Sequence, residues 1–215
     1  MTMQTSGFIS KEEFRGSGIG VIFMAFFGTL WAGIGVKGLQ GWGFPYVELA
    51  VIITGIIIVI GGISLIHASQ KMPDQVSEKG TRHLKRIGFR FNMVFIAEGV
   101  LIGATVAICN AINQTDLIPG VIAIIVGIHF LPLASLFQIK LYYVTGSLLC
   151  LLALITLLVI PRTVMFGEQH IIAQLSLLGF GCALILWTTG IILWINVKNA
   201  RGLSLDQLHN EDHQG

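Results

Sequence analysis

The sequence predicts an all-α integral membrane protein, a six-helix bundle with N- and C-termini cytoplasmic, on three observations. The first is compositional: of 215 residues, 54% are hydrophobic and only 11% charged, and the mean hydropathy is +0.82. Ordinary soluble domains are far more polar, and six spans of about 20 residues would absorb nearly the whole apolar inventory. The second is that six long apolar runs stand apart from one another. The third is the placement of the basic residues. Of the 13 Lys+Arg, only Lys37 and Arg162 fall on one side of such a threading, which leaves the other eleven on the side of the termini. That bias marks the cytoplasmic face. A soluble enzyme is excluded, and a net charge of +2 gives no ground for a nucleic-acid partner.

The elements follow in order as a single transmembrane domain over residues 1–215. The first run, about 19–36, has a glycine-rich leader holding Glu12 and Glu13 and no small-x-small cleavage pattern, so it reads as a retained helix and not a signal peptide. Gly16-Ser17-Gly18-Ile19-Gly20 has no strand before it and reads as a flexible approach to that helix, not a dinucleotide loop. The second run, about 46–66, starts behind Pro45. A loop at 67–88 then sets Arg82, Lys85 and Arg86 at helical spacing, which reads first as a positive-inside topogenic loop with no ligand and alternatively as a short basic helix resting on anionic lipid headgroups.

The third run, about 89–112, and the fourth, about 117–136, are joined by only a few residues and should form an antiparallel hairpin, with Pro119 in the first turn of the fourth. The fifth, about 141–160, ends at Pro161, and the sixth covers about 171–195. A polar tail at 203–215, with His209 and His213, reads as frayed. Runs such as Ile56-Ile57-Ile58-Val59-Ile60 do not alternate, so a β-barrel is excluded. Trp31, Trp42, Trp187 and Trp194 lie toward segment ends, as interfacial aromatics do. Cys109, Cys150 and Cys182 lack metal or redox spacing and read as small buried hydrophobes.

Candidate functional residues are the exceptions to this apolar background, because an ionisable group at membrane depth needs a partner or water. Glu98 on the third run and His129 on the fourth have matching depths in the expected hairpin. Arg90 and Asn92, in the first turns of the third run, extend a polar stripe toward Glu98, and His67 at the end of the second is near enough in depth to join it. Gly99, Gly103 and Ala107 form a small-xxx-small face for close packing of another helix. Pro132 cannot donate to the Ile128 carbonyl and so frees an acceptor beside His129. The pair could fasten two helices, line a proton-exchanging cavity or, with His67, ligate a metal or haem. No HxxxH or HExxH spacing supports the last, and no cofactor or metal is expected. Glu48 and Glu168 fall at the opposite boundary, as solvated charges. Neither a Walker A pattern nor GxSxG is present, so no catalytic residue is assigned.

Gly127-Ile128-His129-Phe130-Leu131-Pro132-Leu133-Ala134, followed by Leu141-Tyr142-Tyr143-Val144-Thr145-Gly146, resembles a group of small bacterial multi-span membrane proteins of unassigned function. They carry a similar GxHFxPLA segment after a glutamate-bearing helix. The resemblance covers Glu98 to Gly146 and implies a multi-pass protein of the bacterial inner membrane, with no activity transferred. Three function classes follow: a proton-linked carrier or permease for a small solute; a non-catalytic sensor, assembly or immunity component with glycine faces for a second copy or another membrane protein; and an intramembrane enzyme acting on lipid, for which no nucleophile or metal set is found.

Overall fold

The computed structural model describes residues 11–70, 78–167 and 169–212, with residues 11–13, 78–86, 166 and 200–212 described by backbone alone. Six helices form: α1 (Lys11–Gly38), α2 (Tyr46–Gln70), α3 (Glu78–Ala111), α4 (Ile118–Phe137), α5 (Leu141–Val159) and α6 (Ala173–Asp212). Each contains a stretch long and apolar enough to cross a membrane: Phe14–Gly38, Tyr46–Gln70, Ile87–Ala111, Thr115–Phe137, Leu141–Val159 and Ala173–Asn199. A 3-10 turn at Thr115–Leu117 links α3 to α4, and Pro119 follows in the first turn of α4, where its missing N–H costs nothing.

Two local expectations are corrected, and one element is added. The basic segment is no separate surface helix, because α3 runs unbroken for 34 residues from Glu78 and includes it. The side chains of Arg82, Lys85 and Arg86 lie outside the described residues, so their lipid contacts remain an expectation. The tail does not fray after residue 203, since α6 continues helical to Asp212; His209 lies in it by backbone alone and His213 is outside the described residues. Between α5 and α6 an antiparallel hairpin forms from β1 (Val164–Phe166) and β2 (Gln169–Ile171), paired from Val164↔Ile171 to Phe166↔Gln169. Alternation over three residues is too short a signal to read from sequence.

Helix packing is organised by glycine. α1 lies between α2 and α6, α4 pairs with α5, and α5 meets α6. A Cβ added at Gly18 would come within 3.0 Å of the Gly62 carbonyl oxygen on α2, one at Gly179 on α6 would strike the backbone nitrogen of Gly35, and one at Gly127 on α4 would come within 2.9 Å of the Gly146 carbonyl oxygen on α5. Lipid gives no hydrophobic drive between helices, so backbone approach of this kind, with its dispersion contacts, is what holds them. Trp31 and Trp187 are buried among these helices, not interfacial: an added Cβ at Gly28 would meet the Trp187 indole at 2.6 Å. Trp42 is exposed, and the Lys198 ammonium lies 5.9 Å from the ring centre of Trp194. All three cysteines are free; Cys109 and Cys182 are buried and Cys150 half-buried.

Two sets of polar contacts cross helix pairs inside the bundle. Thr145 on α5 and Thr189 on α6 hydrogen-bond at 2.8 Å; with one proton on each hydroxyl, the one that accepts donates to the carbonyl one turn back, Ile185 at 2.7 Å for Thr189 or Leu141 at 3.1 Å for Thr145. Gln174 in the first turn of α6 donates to the Thr156 and Ile160 carbonyls and so caps the end of α5.

Candidate functional site

Glu98 and His129 meet because α3 and α4 form the expected hairpin. Glu98 lies 13 residues before the end of α3 and His129 lies 11 after the start of α4, about 20 and about 16 Å along their axes from the connecting turn. The His129 Nδ1 stands 3.2 Å from the Glu98 Oε2, with only 10% and 13% of the two side chains exposed. The approach is close enough for an ion pair but lacks hydrogen-bond geometry, so Nδ1 is a buried nitrogen without a hydrogen-bond partner. Lowering the cost of charge at this depth requires both groups together, since either one alone would face hydrocarbon.

Aromatic rings surround the pair. Phe95, three residues before Glu98, sits edge-on to the His129 ring at 6.4 Å between centres, and Phe130 does the same from α4 at 6.0 Å. Phe23 of α1 packs edge-on against Phe95 at 6.4 Å, and Phe91 stacks on Phe95 at 6.1 Å. Phe130 continues the series to Tyr142 of α5 at 5.6 Å. The sequence reading missed this aromatic surround, although the i, i+4 spacing of Phe91 and Phe95 ahead of Glu98 carried the signal.

The other candidates lie elsewhere. Arg90 and Asn92 are exposed on α3, and neither forms an ion pair or hydrogen bond with Glu98 or His129. His67 is exposed on α2, which packs on α1 and α6. Pro132 stands within α4 without ending it. The covered stripe of α3 is Phe91, Val94, Glu98, Ile102, Thr105 and Cys109, spaced three or four apart, and it faces α4. Gly99 and Gly103 fall one position away from it. A Cβ added at either meets nothing within 4 Å, so no helix of the described residues packs on that face. The expected close packing is found at the glycines of α1, α2, α4, α5 and α6 instead.

Among the described residues, no group of three or more His, Cys, Asp or Glu is placed to hold a metal ion. Comparison with protein families matches residues 15–196 to one described as a family of unknown function, DUF7010. The chain belongs to the DUF7010 family. This match extends well beyond the Glu98 to Gly146 stretch on which the sequence resemblance rests, and it takes in all six apolar stretches almost entirely. Neither a curated protein nor a solved structure matches this DUF7010 member. Its function has therefore to be argued from the Glu98 and His129 geometry.

Proposed function

We propose that this chain is a proton-linked carrier or permease for a small solute, in which Glu98 takes up and releases the proton and His129 is its partner. The observation that supports this is the 3.2 Å approach of carboxyl and imidazole across α3 and α4, at membrane depth and without hydrogen-bond geometry. A deprotonated Glu98 facing a protonated His129 draws α3 onto α4; a proton on Glu98 removes that attraction. α3 is seated mainly on α4, and none of the most apolar 18-residue window of its span is buried, against 33–50% for the other five. Few contacts resist its displacement, so a change of one charge at Glu98 has leverage on where α3 sits.

The test is proton movement in liposomes holding purified protein and an internal pH dye, challenged with a panel of small amines, amino acids and organic acids. Solute-dependent proton movement is expected from the native chain and not from Glu98→Gln at equal incorporation. Equal behaviour of the two across the panel overturns the reading.

A second reading, a non-catalytic sensor, assembly or immunity component, draws support from the open Gly99 and Gly103 face of α3, which offers a partner helix a close approach. Full cellular function in both Glu98→Gln and His129→Ala would favour it over the carrier.

A further inference from the structure

Glu98 lies 11 residues after the start of the Ile87–Ala111 stretch and 13 before its end, about 17 and about 20 Å along the axis and so below the headgroups on either side. Net charge is expensive at that depth, which favours occupancies that leave the site neutral. Glu98 and His129 are neutral together when they hold one proton between them, on the imidazole or on the carboxyl. The elements around them add no other charge to that balance. On α4 His129 is the single titratable side chain, and on α3 the nearest neighbours of Glu98 in sequence are the exposed Arg90, two turns away, and Cys109. On α1 none lies between Arg15 and Lys37, and Tyr142 of α5 is reached through the Phe130 ring. Loss of the shared proton therefore leaves one net negative charge, which one monovalent cation restores to neutrality.

The surrounding chemistry selects the kind of cation. Phe95 and Phe130 stand edge-on to the His129 ring, Phe91 stacks on Phe95, and Phe23 of α1 closes on Phe95 at 6.4 Å. The faces of such rings attract organic cations, and phenyl side chains offer an anion no N–H or O–H donor. A hard metal ion takes about six or more oxygen ligands, and Glu98 is the one carboxylate here. A quaternary ammonium or a ring-delocalised cation needs no such ligand set, since its own hydrocarbon meets the phenyl rings. Its route is lateral. Phe137, the last residue of α4, packs against Phe91 at 5.9 Å, so a series of rings leads from the end of α4 through Phe91 and Phe95 to His129. Phe23, Phe95 and Phe137 are exposed on the bundle surface, where α3 is seated on α4 and meets α1 at the Phe23–Phe95 contact.

We propose that this aromatic seam binds a lipophilic organic cation at Glu98 in exchange for one proton, an inference that deepens the carrier reading and rests on Glu98 as its proton-carrying group. The proton held by the Glu98 and His129 pair leaves to water, and the cation takes its place against the carboxylate. The site is neutral before and after, and no co-reactant is needed.

The test is equilibrium dialysis of radiolabelled tetraphenylphosphonium against the purified full chain in detergent, with a pH dye in weak buffer reading protons released. Saturable binding is expected, with one proton released per cation and an apparent Kd that rises by about tenfold per pH unit on the acid side. Glu98→Gln should weaken binding by about tenfold or more, Phe95→Leu by about fivefold, and Arg90→Gln should bind as the native chain does. The pH series on the native chain carries the test if Glu98→Gln fails to fold. No saturable binding, binding without proton release, or equal binding by folded Glu98→Gln overturns the inference. In that event, proton movement driven by an amino acid or organic acid in the liposome assay leaves the carrier reading standing, and none across the panel removes both.

Discussion

Gly127 of α4 and Gly146 of α5 face each other so closely that a side chain on either would run into the carbonyl oxygen of the other. The contrast with α3, whose Gly99 and Gly103 face open space, separates glycines that hold the bundle from glycines that do not. Gly127→Leu is therefore expected to cost about 1–3 kcal/mol of stability through overpacking, and Gly103→Leu less than about 0.5 kcal/mol. Thermal unfolding in detergent reads both. An equal loss at Gly103 would show that α3 has a helix partner beyond this chain.

Glu98 and His129 should be coupled. Removing either leaves the other without its partner at membrane depth, so Glu98→Gln with His129→Leu should destabilise by less than the sum of the two single substitutions. A double-mutant cycle on unfolding measures this. Strict additivity would mean that the 3.2 Å approach has no energetic content.

The Thr145 and Thr189 hydroxyls join α5 to α6 at 2.8 Å, and the one that accepts is left to donate to the carbonyl one turn back in its own helix. Because either hydroxyl can donate within its own helix when the other is lost, the coupling between Thr145→Val and Thr189→Val should be about 0.6 kcal/mol and no more than ~2. A value near zero in the same unfolding assay would assign both hydroxyls to their own helices alone.

Arg162 donates to Asp116 at 2.9 Å, tying the turn between α3 and α4 to the segment after α5. Both side chains are 60% exposed, so Asp116→Asn should change stability by less than about 1 kcal/mol, and high salt should reduce the effect further. Unfolding at low and high ionic strength checks this, and a larger, salt-insensitive loss would contradict it.

Sidedness is open to direct measurement. With eleven of the 13 basic residues on the side of the termini, a fluorescent protein fused to the C-terminus should fluoresce and an alkaline phosphatase fused there should be inactive. The opposite pattern would place both ends outside.

The apolar spans and the α3 and α4 hairpin were legible in the sequence because length and hydropathy are local properties, and so were the matching depths of Glu98 and His129, because a short connection sets equal depths side by side; that the two side chains face one another depends on helix rotation, which the sequence left open. Helix ends were not: the polar start of α3 and the polar end of α6 have helical backbones, with leucines such as Leu84, Leu203, Leu205 and Leu208 too sparse to form an apolar run. Nor was it visible which glycines pack. Gly99 and Gly103 have the right spacing, but one residue's rotation, about 100°, turns them off the face that meets α4. Trp187 lies midway along the Ala173–Asn199 stretch, and its indole fills the space over Gly28, a partner about 160 residues away that no local pattern points to.

That last distance bears on how the chain is made. α1 is the central helix of its group, and its Gly28 and Gly35 stay uncovered until α6, the last of these six spans to be synthesised, delivers Trp187, Phe180 and Gly179 to them. A nascent chain with only the first five of these spans inserted still has an open groove along α1, which closes when α6 arrives.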